Sequence, residues 1–149
     1  MPGNMIHNIS QNVQFLPMLT PASRTATMTS PWIDTLNFRA VTIAFHLGAH
    51  DRTTGDEQVI LKIQEADDGA GTGVVDSTIA TQTVTSLVPD ATVGQIFLFN
   101  LDMQKHKRFV RIVGTESGTT PIDLCSAMAL CTSGNNPPTQ PATITNTND

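Results

Sequence analysis

The chain has 149 residues, enough for one domain with its own core, and 39% of them are apolar against 14% charged. Both fractions lie below globular averages, as in a strand-rich protein with polar, uncharged surfaces or one partly covered by neighbours. The net charge of −5 argues against wrapping nucleic acid, and no run approaches the roughly 18 apolar residues of a membrane span.

Residues 1–12 are polar and mixed, without the basic leader and continuous apolar stretch of a secretory signal, so the expectation is a soluble chain made in a cytoplasm. Val13 and Phe15 begin a strand pattern that Pro17 confines to a sheet edge or a strand end. The Thr-rich stretch SRTATMTS reads as a short strand. In AVTIAFHL, Val41, Ile43, Phe45 and Leu47 alternate with Thr42, Ala44 and His46. In QVILKIQE, Val59, Leu61 and Ile63 alternate with Ile60, Lys62 and Gln64. STIATQTVTSL holds one or two further strands. Ile96 and Leu98 oppose Phe97, Phe99 and Leu101, and Val110 and Ile112 oppose Phe109, Arg111 and Val113. Ile122, Leu124, Met128 and Leu130 oppose Asp123, Cys125 and Ala127. Period-two patterning with β-branched and aromatic content predicts about seven to nine strands. Turns fall at HDRTTGDE, ADDGAGTG, VPDATVG and GTESGTTP. The one plausible helical turn is residues 101–108. With no helical layer to cover a sheet, two sheets must pack together or one must close on itself.

Cys125 and Cys131 share a strand face and lie about 20 Å apart when extended, beyond the reach of a disulfide; they read as small buried residues. His46 and His50 bracket a strand end, where their spacing does not form a metal pair, and Asp67–Asp68 lacks the twelfth-position Glu of a calcium loop, which is Thr78 here. No nucleophile–base or paired-carboxylate motif is present, so neither an enzyme nor a cofactor is expected. Lys105, His106, Lys107 and Arg108 form the basic run, either a solvated turn or a contact for an anionic partner. Trp32, the one tryptophan, is a core or interface anchor.

SPWIDTLNFRAVTIAFHLGAHD, VILKIQEADDGAGTG and KHKRFVRIVG follow one another in an order that resembles the cement or decoration proteins of tailed bacteriophage heads. That family has a strand of the form L-x-I-Q-E-S-D-D-G and later K-R-Y-V-R. The matching residues are Leu61, Ile63, Gln64, Glu65, Asp67, Asp68 and Gly69, then Lys107, Arg108, Phe109, Val110 and Arg111, with Ala66 and Phe109 in place of the usual Ser and Tyr. The resemblance covers roughly residues 30–131. It implies a jelly-roll-like antiparallel β-sandwich, self-associated as a dimer or trimer, bound to the major capsid protein where capsomers meet.

The expected organisation is an N-terminal arm with the first edge strand (1–20), a sandwich core (21–132) and an extended Pro-rich tail (133–149). The expected contacts are the two arms and the basic turn, with Trp32 as a further anchor: Pro17, Trp32, Lys105, Lys107, Arg108, Pro137, Pro138, Pro141 and Ile144. The expected location is the outer surface of a virion, without direct nucleic-acid or membrane contact. The rival readings are a phage tail, neck or fibre-anchoring part, and a carbohydrate-binding β-sandwich. The lack of any Tyr and the single Trp argue against the latter.

Overall fold

A computed structural model of the chain describes residues 13–51, 58–79, 81–85, 95–118 and 122–133. They form strands β1 (Val13–Arg24), β2 (Met28–Thr29), β3 (Ile33–Asp34), β4 (Phe38–Asp51), β5 (Gln58–Ala66), β6 (Val75–Asp76), β7 (Gln82–Thr85), β8 (Gln95–Asp102), β9 (Phe109–Ser117) and β10 (Ile122–Ser133), with no helix among the described residues. One sheet has the order β1-β10-β4-β8; in the other, β9 and β5 lie at the centre. All pairings are antiparallel.

β2 and β3 both pair with β9 and act as one strand broken at Pro31; β6 and β7 both pair with β5 and act as another. Ser30 bridges the first break, its N–H donating to the Ile112 carbonyl and its hydroxyl accepting from the Ile112 N–H. With each broken pair counted once, the first strand position pairs with the last, the second with the seventh, the third with the sixth and the fourth with the fifth. That nesting is one long hairpin rolled so that successive pairs fall in alternate sheets, which is a jelly roll. The expected antiparallel sandwich of this type is therefore what the chain forms.

The inner faces follow the alternation in the sequence. Val41, Ile43, Phe45 and Leu47 of β4, Val59, Leu61 and Ile63 of β5, and Val110 and Ile112 of β9 are all buried in one core. β10 sends in its small residues, and each lies opposite a larger β4 residue: Cys131 beside Val41, Ala129 beside Ile43, Ala127 beside Phe45, Cys125 beside Leu47. Alternating small and large side chains lets the layer fill without voids. The cysteines form no disulfide. The Cys125 thiol donates to the Met28 sulfur at 3.3 Å, joining the two sheets, and burial pushes the Cys131 thiol up to about 12.

Among the described residues Pro17 lies on an edge strand. β1 runs to Arg24, so the edge strand continues past residue 20 into the sheet, with register shifts between Pro17 and Ala22. The helical turn expected over 101–108 is absent: Leu101 and Asp102 finish β8, and a non-helical turn leads to β9. Asp102 closes it, its carboxylate accepting from the Gln104 N–H and its carbonyl from the Lys105 N–H, a local alternative to helix that Asp favours. Before β4, Asn37 takes a left-handed φ of 75°, which Asn tolerates better than most residues.

Enlarging β10's inner face should be costly. Ala129→Leu is expected to destabilise by about 1–3 kcal/mol through overpacking, and Phe45→Ala by about 3–5 kcal/mol through a cavity. Met128→Ala, on the opposite face of β10, should stay within about 0.5 kcal/mol. Urea unfolding of the three variants measures the contrast.

Candidate docking face

The small inner residues of β10 leave its larger ones outside. Leu124 and Met128 are 42% and 46% exposed, and on neighbouring strands Phe15, Ile96 and Leu98 reach 61%, 65% and 60%. These belong to the outer face of the β1-β10-β4-β8 sheet. The register aligns them in rows: Pro17, Met128, Ala44 and Leu98 cross all four strands without a polar side chain. Ser126, His46 and Ile96 form the next row, and Phe15, Leu130, Thr42 and Asn100 the row on the other side, its polar end closed by a 2.8 Å hydrogen bond from the Thr42 hydroxyl to Asn100. Ala44 and Ser126 are short, so the centre of the face is concave. The resulting groove, about 400 Å³, runs between Phe15, Pro17 and Pro21 on one side and Ile96 on the other, and no Asp, Glu, Lys or Arg lines it.

The outer face of the second sheet is built from opposite chemistry. Lys62 and Gln64 both donate to the Asp76 carboxylate at 2.9 Å. Arg111 donates twice to the Gln64 side-chain oxygen and lies 4.3 Å over the Trp32 ring. One sheet thus presents a polar lattice and the other an apolar field. Scattered surface leucines are ordinary; a contiguous apolar patch of several hundred Å² on one side of a small domain marks an interaction surface.

The basic run is drawn into the fold around the β8–β9 turn. Arg108 makes two hydrogen bonds, 2.7 and 2.6 Å, to Asp34, and they hold that carboxyl below its ordinary value. Lys107 pairs with Asp67 at 2.9 Å and donates to the Gly73 carbonyl. Lys105 points into solvent, 3.8 Å from Asp102. The neighbouring 67–74 segment closes on itself: the Asp68 carboxylate accepts from the Thr72 N–H and hydroxyl and from the Ala70 N–H. Gly71 takes φ +87° against the Trp32 indole, where a Cβ would meet the ring nitrogen at 3.2 Å. Among the described residues no three His, Cys, Asp or Glu side chains are grouped to hold a metal.

Beneath this turn Glu65 and His106 are buried together, Nδ1 donating to the carboxylate at 2.7 Å, and the Lys107 N–H donates to the other oxygen at 2.8 Å. Burial opposes the Glu65 charge, but hydrogen bonds from Ser77, Lys107 and His106 outweigh it and hold the carboxyl below its ordinary value.

The structure thus places Pro17 on the apolar face, beside Met128, and gathers Trp32, Lys107 and Arg108 into the polar network; Lys105 stands at its edge. Pro137, Pro138, Pro141 and Ile144 lie outside the described residues. Sequence reasoning did not single out Phe15, Ile96, Leu98, Leu124 or Met128 as contacts. Their signal was present as strands apolar on both faces, the pattern of a strand covered on both sides.

No family model matches the sequence, and no curated protein matches it. Solved structures match by shape. The VP2 subviral particle of infectious bursal disease virus superposes on 85% of this chain with TM-score 0.51 and 15% identity, and the chain spans 34% of that protein's length. A cowpea mosaic virus empty virus-like particle superposes on 89% of this chain and 86% of its own, with TM-score 0.46 and 9% identity. At 15% identity the VP2 likeness is one of fold, and it accompanies the double-sheet jelly roll that the strand order of this chain defines.

A pH test isolates the buried pair. Because the folded carboxyl is held low, its contribution is fully present above the unfolded value near about 4.3 and is lost as pH falls through the folded value. Glu65→Gln should cost about 1–3 kcal/mol at pH 7 and flatten the acid limb of the stability curve; urea midpoints from pH 7 to pH 3 check both.

Proposed function

We propose that this chain is a non-catalytic virion structural protein, a cement or decoration protein that docks its apolar sheet face on the major capsid protein at capsomer junctions. The observation that carries the proposal is that face: four strands wide, concave at its centre, without Asp, Glu, Lys or Arg in its groove. The jelly-roll fold and the phage-head resemblance of residues 30–131 set the context.

The sheet face alone is smaller than one side of a standard protein interface. Four strands about 4.8 Å apart and eight residues long cover roughly 500 Å², short of the ~800 Å² per partner of a standard stable interface. The remaining contact falls to the arms outside the strands, residues 1–12 and 134–149, in which Pro137, Pro138, Pro141 and Ile144 are apolar points that lie on a neighbour, and to Lys105 at the rim. Arms with little core of their own gain order from a partner, and many copies on one shell act together. A net negative chain suits the outer surface of a shell better than an inner one facing DNA.

The test is co-sedimentation of the purified protein with shells that lack it. Saturable binding at a fixed ratio to the major capsid protein, with shells that then resist heat better, is the expected result. The double variant Leu124→Asp/Met128→Asp should lose at least tenfold in affinity while melting within a few degrees of the wild type, since both side chains are already exposed. Unchanged binding by that variant would remove the face from the proposal. Failure of the native protein to bind any shell would shift the assignment to a tail or neck part, to be settled by its copy number per particle.

A further inference from the structure

Sheet edges in this fold are treated unequally. β1 carries Pro17 and Pro21 and two register shifts. The β2/β3 edge consists of two-residue fragments parted by Pro31, and the β6/β7 edge is likewise split into short pieces. Short, broken or proline-bearing edges are how β-proteins resist strand addition. β8 has none of these protections. It pairs with β4 over eight residues in unbroken register, contains no proline and no charge before Asp102, and no described residue pairs with its other side.

We infer that β8 is a self-association edge: two copies of this chain pair β8 with β8, antiparallel, about a two-fold axis near Leu98. A strand paired with itself is self-complementary under two-fold symmetry. Facing residues in an antiparallel pair share a sheet face, so the register must set residues of the same parity opposite each other. Of the two such registers with greatest overlap, one sets Asp102 against Ile96. The other sets Leu98 against Leu98, Ile96 against Asn100 and Phe97 against Phe99, with Asp102 beyond the apolar pairs. The second leaves no charge against an apolar partner and makes two Phe97–Phe99 cross-strand pairs, where the first makes a single Phe99–Phe99 pair. It also merges the two outer faces into one eight-stranded face of roughly 1,000 Å², which exceeds the half-interface one copy falls short of. Both docking faces then point the same way, and a shell would be gripped by two of them at once.

Sedimentation velocity on the purified full chain, over a graded concentration series and with no shell present, tests the pairing independently of the docking proposal. A reversible monomer–dimer equilibrium is expected. Leu98→Lys sets two ammonium groups face to face at the axis and should weaken dimerisation at least tenfold. The monomer's melting temperature should hold, because Leu98 is exposed in one copy. Leu98→Cys should cross-link two chains under mild oxidation, while Cys125 and Cys131 stay buried. Met128→Asp, two strands in from the edge, should leave the dimer intact. A strict monomer at every concentration without a Leu98→Cys cross-link overturns the inference, as does a trimer, or a dimer dissolved by Met128→Asp and untouched by Leu98→Lys.

Discussion

The contact on which the rest depends is the size match between β10 and β4. On the inner side, Cys125, Ala127, Ala129 and Cys131 lie beside Leu47, Phe45, Ile43 and Val41; on the outer side, Met128 lies beside Ala44. Neither strand could be turned over alone. A Leu130 or Met128 directed inward would collide with a layer already filled by Ile43, Phe45 and Phe99, and protein interiors have no slack for such a change. Once the core takes the small side of β10, water receives the large side. The apolar face is thus a consequence of core packing.

The two sheets then divide the work. The β9–β5 sheet spends its outer positions on a closed polar lattice that runs from Lys62 through Asp76 and Gln64 to Arg111 and Trp32. Exposed pairs such as these contribute little stability each, but they occupy the donors and acceptors that would otherwise compete for a partner. The buried Glu65–His106 pair fixes the β8–β9 turn against β5 and draws the Lys107 backbone into the same cluster. The basic run is therefore tied mostly to Asp34, Asp67 and Glu65, and its first lysine is the one left pointing outward.

The edges extend the same logic to assembly. A sandwich, unlike a closed barrel, leaves strand ends of its sheets unpaired, and each is a potential template. Prolines, register shifts and fragmentation blunt the others, while β8 continues the apolar field up to its rim with Ile96 and Leu98. Face and edge lie on one sheet, so a partner that covers the first is placed next to a partner that pairs with the second.

The sequence by itself determined that the chain is all-β, because period-two alternation in β4, β5 and β9 leaves one side of each strand apolar and only a second sheet can cover it. It also determined that Pro17 sits on an edge and that the two cysteines share one face without bonding, since both follow from backbone geometry along a single strand. The basic turn was legible as charge, but not its internal partners, because Asp34, Asp67 and Glu65 reach it across 74, 40 and 42 positions of chain at most. Which side of β10 faces water was decided by tertiary structure alone. Both sides of that strand are apolar, so alternation is silent, and only the volume left by β4's large side chains settles which side fits inside.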